Sequence, residues 1–331
     1  VEKGTEGLEA GRQEVKHGIR LSNTSQVMLD NVVIPASNLV GTEEGQGIKQ
    51  ANEVFGFTRL MVAAFGLGGG KSALEKAIAY ARERKQFGSY LWELQGYSHK
   101  LLVPNSVRLA AATAYVQYVA NLLDTSDEDR QVEGAVAKLF ATEAGNDAAE
   151  DAIQALGGYG YCSEYEVEKI KRDVRILTIY EGTSEIQQNI IGVFRMRQNV
   201  RSKGAFYNGL ADEVAGLENV GGMAAARVAR FVSEASVVCF KPKLVRQQHA
   251  VFEMGWALAE AESAVALCRA AAESGDEVKM AEARIWAGKV GMSVPTRILR
   301  VFVGIDTLPH EVQQDMITKA DLGRAVADQA G

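Results

Sequence analysis

Long hydrophobic runs are missing from this sequence: no apolar stretch approaches the ~18–20 residues that a membrane-crossing helix needs. Proline is scarce, with 5 in 331 residues, so little interrupts long helices. Cysteine is nearly absent. Cys162, Cys239 and Cys268 are odd in number, far apart and without a CxxC pair. They make neither a disulfide frame nor a zinc site, and read as reduced structural thiols. The histidines His17, His99, His249 and His310 fall in no HxxxH or HExxH spacing, so no metal is expected. Basic residues are not in excess either. Lys and Arg number 36 against 42 Asp and Glu, both signs interspersed, for a net charge of −6. That leaves no electrostatic footprint for nucleic acid. The sequence opens at Val1 with no signal or transit composition, and a piece of a longer protein is expected.

What is present is mostly helix former, in a length that allows two to three domains. Strand patterning is confined to residues 1–45, at Ser25–Asp30 and Asn31–Pro35, which read as the tail of a β domain whose front is absent. A helical pattern then runs from Gly47 to Arg84, closed by Arg84-Lys85-Gln86-Phe87-Gly88 with glycine at a plausible C-cap. Within it, Gly66-Leu67-Gly68-Gly69-Gly70-Lys71-Ser72 imitates a phosphate loop. The first glycine of that motif would have to stand at Phe65, and no strand precedes it. Small residues at helical spacing there predict close approach of a neighbouring helix. A second helix is predicted over Leu91–Leu123, kinked at Pro104. Asp124–Glu128 should cap a third, which Gly157 and Gly158 break, and a short helix follows over Glu164–Asp173. Long segments with short connections describe an antiparallel helical bundle. Beyond a soft boundary at Lys203-Gly204, amphipathic helices are predicted at about 207–235, 245–273, 276–304 and 309–328, with no dense cluster of ionisable residues.

The chain is organised around Ile179-Tyr180-Glu181-Gly182-Thr183-Ser184-Glu185-Ile186-Gln187. Gly182 lets the backbone bend close to a ligand. Ser184-x-x-Gln187 reads as a capping box opening a helix that runs to about Arg197, which leaves Glu181 projecting from a turn.

Together these stretches resemble the second half of the acyl-CoA dehydrogenases. The matching segments are Val1–Thr5, Asp30–Pro35, Thr58-Arg59, Arg82–Gly88, Gln154–Gly158 and Tyr180–Gln187, in the family's order and at its separations. The fold this implies is mainly α: a four-helix bundle over 46–200, preceded by the end of a β domain (1–45) and followed by an additional helical domain (201–331). That extension is similar to one in the very-long-chain branch.

The resemblance implies FAD as cofactor, an acyl-CoA as substrate and Glu181 as the base that removes its α proton. Arg84, Gln86, Phe87 and Gln95 match FAD-binding positions, Gln154, Gly157 and Gly158 match contacts to the FAD of a partner subunit, and Thr183 and Glu185 match contacts beside the base. Thr58 and Arg59 match the segment near CoA, while Tyr180 and Gly182 would flank the thioester. Some members carry the base immediately before that arginine; Thr58 cannot serve. Gly56 replaces an aspartate that some members use on substrate, and Gln188 and Val193 stand where some carry arginine. The resemblance further implies an electron-transfer flavoprotein as partner, a homodimer, and a bacterial cytoplasm or mitochondrial matrix as location. An acyl-CoA oxidase, reoxidised by oxygen, and a non-catalytic helical scaffold remain as alternatives.

Overall fold

The computed structural model describes residues 1–126, 128–240, 242–303 and 308–325. Strands β1 (Leu8–Gln13) and β2 (Ser25–Leu29) form an antiparallel hairpin with Leu8 opposite Leu29 and Ala10 opposite Val27. The predicted strand at Asn31–Pro35 does not form. Asn31 adopts a φ of 50°, and Pro35, which has no N–H to give a ladder, leads into a 3₁₀ turn at Ala36–Asn38. β1 is unforeseen because Leu8-Glu9-Ala10-Gly11-Arg12-Gln13 contains no β-branched or aromatic residue. Val15, Leu21, Val27, Leu29 and Val33 are all exposed, so the hairpin has no core of its own. Its long loop leans on the helices, where the Ile19 N–H donates to Asp173 Oδ1 at 2.7 Å.

Four helices form the bundle: α1 (Gly47–Glu83), α2 (Val103–Thr125), α3 (Gln131–Leu156) and α5 (Ser184–Arg201), with the short α4 (Val167–Val174) before the last. Facing residues fix their directions. Arg59 reaches Gln131 and Gly70 abuts Gly145, so α1 and α3 run parallel. Asn105 bonds Asp151, and Arg195 pairs with Glu133, so α2 and α5 run against α3. The parallel pair is thus the diagonal of an up-down-up-down bundle, and its members touch directly. A Cβ added to Gly145 would lie 2.2 Å from the Gly66 carbonyl oxygen, and one on Gly134 would lie 2.7 Å from that of Gly56. The glycine run serves helix approach, as its spacing predicts, at the expense of helix propensity.

Several local expectations are corrected. α1 is capped at Arg84, whose N–H donates to Tyr80, and Gly88 belongs instead to the turn of a two-residue hairpin. The predicted helix at Leu91–Leu123 begins as short turns and a π-turn at Ser98–Leu102, and α2 proper starts beside Pro104, which occupies its first turn. α3 starts after Arg130, whose side chain makes no capping bond, and its first amide, Gln131 N–H, donates to Asp129 Oδ1 at 2.9 Å; Asp127 of the predicted cap lies outside the described residues. Glu166, at a φ of 64°, delays α4 to Val167.

The predicted segment at 207–235 is two helices, α6 (Ala205–Ala215) and α7 (Gly222–Cys239), parted at Gly216–Gly221. They are followed by α8 (Gln248–Ser274), α9 (Glu277–Val303) and α10 (His310–Ala320). The predicted ends at 304 and 326–328 lie outside the described residues. α8 packs tightly on α5, where a Cβ on Gly255 would lie 2.3 Å from the Gln188 carbonyl oxygen and one on Gly192 2.4 Å from that of Val251. The apolar faces of these helices are buried at Val228, Phe231, Val232, Val265, Leu267, Val290, Ile298 and Val301, whereas Ile285 faces outward. One hydrophobic cluster runs from Val62 on α1 to Ala320 on α10.

Sequence alone shows no ionisable cluster in the extension, but the fold builds one around Glu262 of α8. Its carboxylate accepts from Arg195 Nε at 2.8 Å, Tyr115 Oη at 2.7 Å and Tyr207 Oη at 2.8 Å. Burial, then the Glu262 charge, pushes both phenols well above their usual range. Buried Cys239 and Cys268 are likewise pushed up to about 12 by burial. No described helix is long and apolar enough to cross a membrane.

Candidate active site

Between α4 and α5 the chain makes the turn that the sequence singles out. Glu181 and Gly182 both adopt positive φ, 56° and 89°. For a glutamate this left-handed conformation costs about 1–2 kcal/mol, so the surroundings must hold it. Gln187 Nε2 donates to the carbonyls of Glu181 and Gly182, at 3.0 Å each, and Lys138 Nζ donates to Gly182 O at 2.7 Å. Gly182 is required twice over: a Cβ there would lie 2.5 Å from Gln187 Nε2, besides the strain of its φ.

The predicted capping box therefore does not form. Thr183 is the N-cap, accepting the Ile186 N–H at 3.4 Å, while Ser184 donates to Glu143 on α3. The frame is displaced by one residue because Gln187 is drawn inward to the turn. Glu185 sits in the first turn of α5, where its own backbone N–H and the Thr183 hydroxyl hold its carboxyl below the usual range.

The Glu181 side chain is half-buried and points at α1, where Thr58 Oγ1 donates to its Oε2 at 2.9 Å. Arg59, the next residue, is only 5% exposed. Among the described residues its Nε has no hydrogen-bond partner, and its Nη1 makes a long bond of 3.4 Å to the Gln131 carbonyl. Burial lowers its pKa, and the charges of Glu181 and Asp129 oppose that. The half-buried Tyr180 phenol is raised by burial and then by Glu181.

Sequence reasoning misses Lys138. It is fully buried, and burial pulls its pKa down to about 8, against the charge of Glu143 and of the more weakly felt Glu181 and Glu185, with Arg59 adding repulsion. The signal was available: between Gly134 and Thr142, where every residue is buried, Lys138 carries the only charge.

The remaining predicted residues gather elsewhere. Lys85–Gln86 (β3) and Ser89–Tyr90 (β4) form a hairpin whose turn residues Phe87 and Gly88 have φ of 53° and 83°. Phe87 is 94% exposed there, beside exposed Arg84 and Gln86. Gln95 is exposed nearby, and Gln154, Gly157 and Gly158 end α3. Tyr97 Oη donates to Ala155 O at 2.9 Å, and Tyr80 meets Tyr159 edge-on at 6.1 Å, which draws these segments to one end of the bundle. Thr58 and Arg84 are 26 positions apart along α1, so at 1.5 Å per residue about 39 Å separates the two groups. Thr58, Arg59, Tyr180, Glu181, Gly182, Thr183 and Glu185 form one site, and the other predicted residues form a second.

A half-buried carboxylate on a strained turn, with one oxygen bonded and a cation beneath the loop, has the parts that acid–base chemistry in a helical bundle requires. The family described as "Acyl-CoA dehydrogenase, C-terminal domain" matches residues 45–194. An acyl-CoA dehydrogenase of Bacillus subtilis is 41% identical over 194 residues, which are 59% of this chain and 50% of that protein. The caffeyl-CoA reductase–Etf complex subunit CarC of Acetobacterium woodii is 37% identical over 191 residues, 58% of this chain and 50% of the relative. Among solved structures, butyryl-CoA dehydrogenase of Megasphaera elsdenii superposes with a TM-score of 0.56 at 37% identity, over 58% of this chain and 50% of that one. The acyl-CoA dehydrogenase of Bacillus anthracis complexed with FAD gives 0.83 over 97% of this chain and 60% of that one, a likeness of fold at 21% identity. Residues 45–194 thus carry the carboxyl-terminal domain of the acyl-CoA dehydrogenase family. The chain spans about half the length of the curated relatives it matches.

Proposed function

We propose that the full-length protein is an FAD-dependent acyl-CoA dehydrogenase in which Glu181 removes the α proton of an acyl thioester. The observation that carries this reading is the fixed carboxylate: Gln187 pins the Glu181 carbonyl, Lys138 pins that of Gly182 next to it, and Thr58 engages Oε2. Oε1 is left to take the proton. FAD, when bound, accepts the β hydrogen as hydride. A weakly acidic α carbon needs a positioned base shielded from water. Apolar Phe57, Met61 and Phe65 stand exposed along the α1 face beside Thr58, a surface suited to a flavin ring or an acyl chain.

The second cluster fits the other end of FAD. Arg84 makes no ion pair among the described residues, and its fork suits a diphosphate. The Gln86 and Gln95 amides and the exposed Phe87 ring suit a nucleoside. The division into 1–45, 46–200 and 201–331 is proposed on the same basis. An electron-transfer flavoprotein is the proposed electron acceptor, supported by the name of the Acetobacterium woodii relative. A homodimer is proposed because the extension covers α2 and α5.

In the full-length protein, Glu181→Gln should keep FAD and acyl-CoA binding while flavin reduction by acyl-CoA slows on the order of 10²–10⁴-fold. Parental turnover in that variant would refute the assignment.

A further inference from the structure

Lys138 is an anomaly: it pins the turn, but the reaction as proposed makes no use of its charge. Lysine is rarely buried completely without a carboxylate partner, and among the described residues no carboxylate lies within 4.0 Å of its ammonium. A methionine would fill the same space between α1 and α3 at no charge-burial cost. The side chain's one hydrogen bond goes to Gly182 O at 2.7 Å. That carbonyl immediately follows the strained Glu181, and its second donor is Gln187 Nε2 at 3.0 Å. Without the ammonium, one amide group would have to hold two successive carbonyls in a left-handed turn.

We propose that Lys138 is a positioning residue: its buried ammonium locks the Glu181-Gly182 turn, and its charge is the element of the site that limits activity on the alkaline side. The proposal rests on the reading of Glu181 as base. The charged groups facing the ammonium are Glu143 on its own helix, Arg59 on α1, Glu181 in the turn and Glu185 on α5. Together with burial they leave it a cation below about pH 8 and a neutral amine above. A neutral amine makes the weaker bond to a carbonyl, so the turn loosens as pH rises.

Stability responds with the opposite sign. Between about pH 8 and the ordinary lysine value of 10.5, the unfolded chain keeps a proton that folded Lys138 has shed. The group therefore adds stability as pH climbs through that window and adds none below it. A merely structural lysine would not move the two readouts in opposite directions.

The test compares the full-length FAD-loaded protein with Lys138→Met and Lys138→Arg, following kcat, KM for acyl-CoA and thermal unfolding from pH 6 to 10. Wild-type kcat should fall above about pH 8. Lys138→Met should lose on the order of 10²-fold in kcat with little change in KM, as misplacement of a reacting group by about 1 Å does, and its alkaline stability gain should disappear. Lys138→Arg should restore most of the kcat at pH 7 and flatten the alkaline fall. Parental kcat in Lys138→Met, or a loss confined to KM or FAD content, overturns the inference. If Lys138→Met does not fold, an unchanged alkaline fall in Lys138→Arg overturns it equally. A wild-type holoprotein whose flavin acyl-CoA never reduces would refute the dehydrogenase reading itself, a result distinct from any of these.

Discussion

Thr58 is a single residue open to two roles. The resemblance puts it beside CoA, while its hydroxyl donates to Glu181, the proposed base, at 2.9 Å. The two roles separate kinetically. If the hydroxyl serves the base, Thr58→Val keeps the side-chain shape and loses one bond to a charge, about 1.5 kcal/mol or roughly tenfold in kcat, with KM nearly constant. If it serves CoA, KM rises and kcat stays. We expect the first pattern in steady-state kinetics of the full-length protein. The turn at Glu181 was legible because an aromatic–Glu–Gly break between helices needs no tertiary information, whereas the role of base came only from the resemblance. Lys138 and the inward turn of Gln187 were not, since both act on backbone carbonyls that only the folded turn brings within reach.

Among the elements, the α1–α3 diagonal is the most exacting. Glycines that look alike in sequence differ in what surrounds them. Gly145 faces the Gly66 carbonyl, whereas Gly68 has nothing within 4 Å and is exposed. Gly145→Ala should force the helices apart and cost about 1–3 kcal/mol, read as a lower thermal midpoint. Gly68→Ala should instead stabilise by about 0.5–1 kcal/mol, through helix propensity and a less entropic unfolded chain. Equal effects would mean that the helices do not meet as described. Helix periodicity gave the extent of α1 almost to the residue. It failed on β1, on the start of α2 and at the break between α6 and α7, where single residues in turn conformations override an amphipathic pattern.

Over the whole molecule, the extension and the bundle share one core, and the Glu262 node joins them. Arg195 and Tyr115 come from the bundle and Tyr207 and Glu262 from beyond it, with Glu133 also bonded to the Arg195 guanidinium at 3.0 Å. Each ion is met by hydrogen bonds, the condition under which a buried pair avoids a large net desolvation cost. This node was illegible in sequence. Its members are scattered over some 150 positions, and a lone Glu262 on an alanine-rich helix carries no motif.

The ~39 Å between the Glu181 turn and the Arg84 hairpin has a genetic corollary. One flavin cannot span both, so under the proposed function each cofactor draws its two ends from different protomers of a two-fold pair. Two dead alleles should then rescue each other. Co-expressed chains bearing Glu181→Gln and Arg84→Ala would assemble mixed pairs in which one site inherits both defects and the other inherits none. With equal expression, half the pairs are mixed and half of their sites are whole, giving roughly a quarter of parental activity. Purified singly, each variant should stay impaired. Absence of rescue in verified mixed pairs would assign both ends of the cofactor to one protomer.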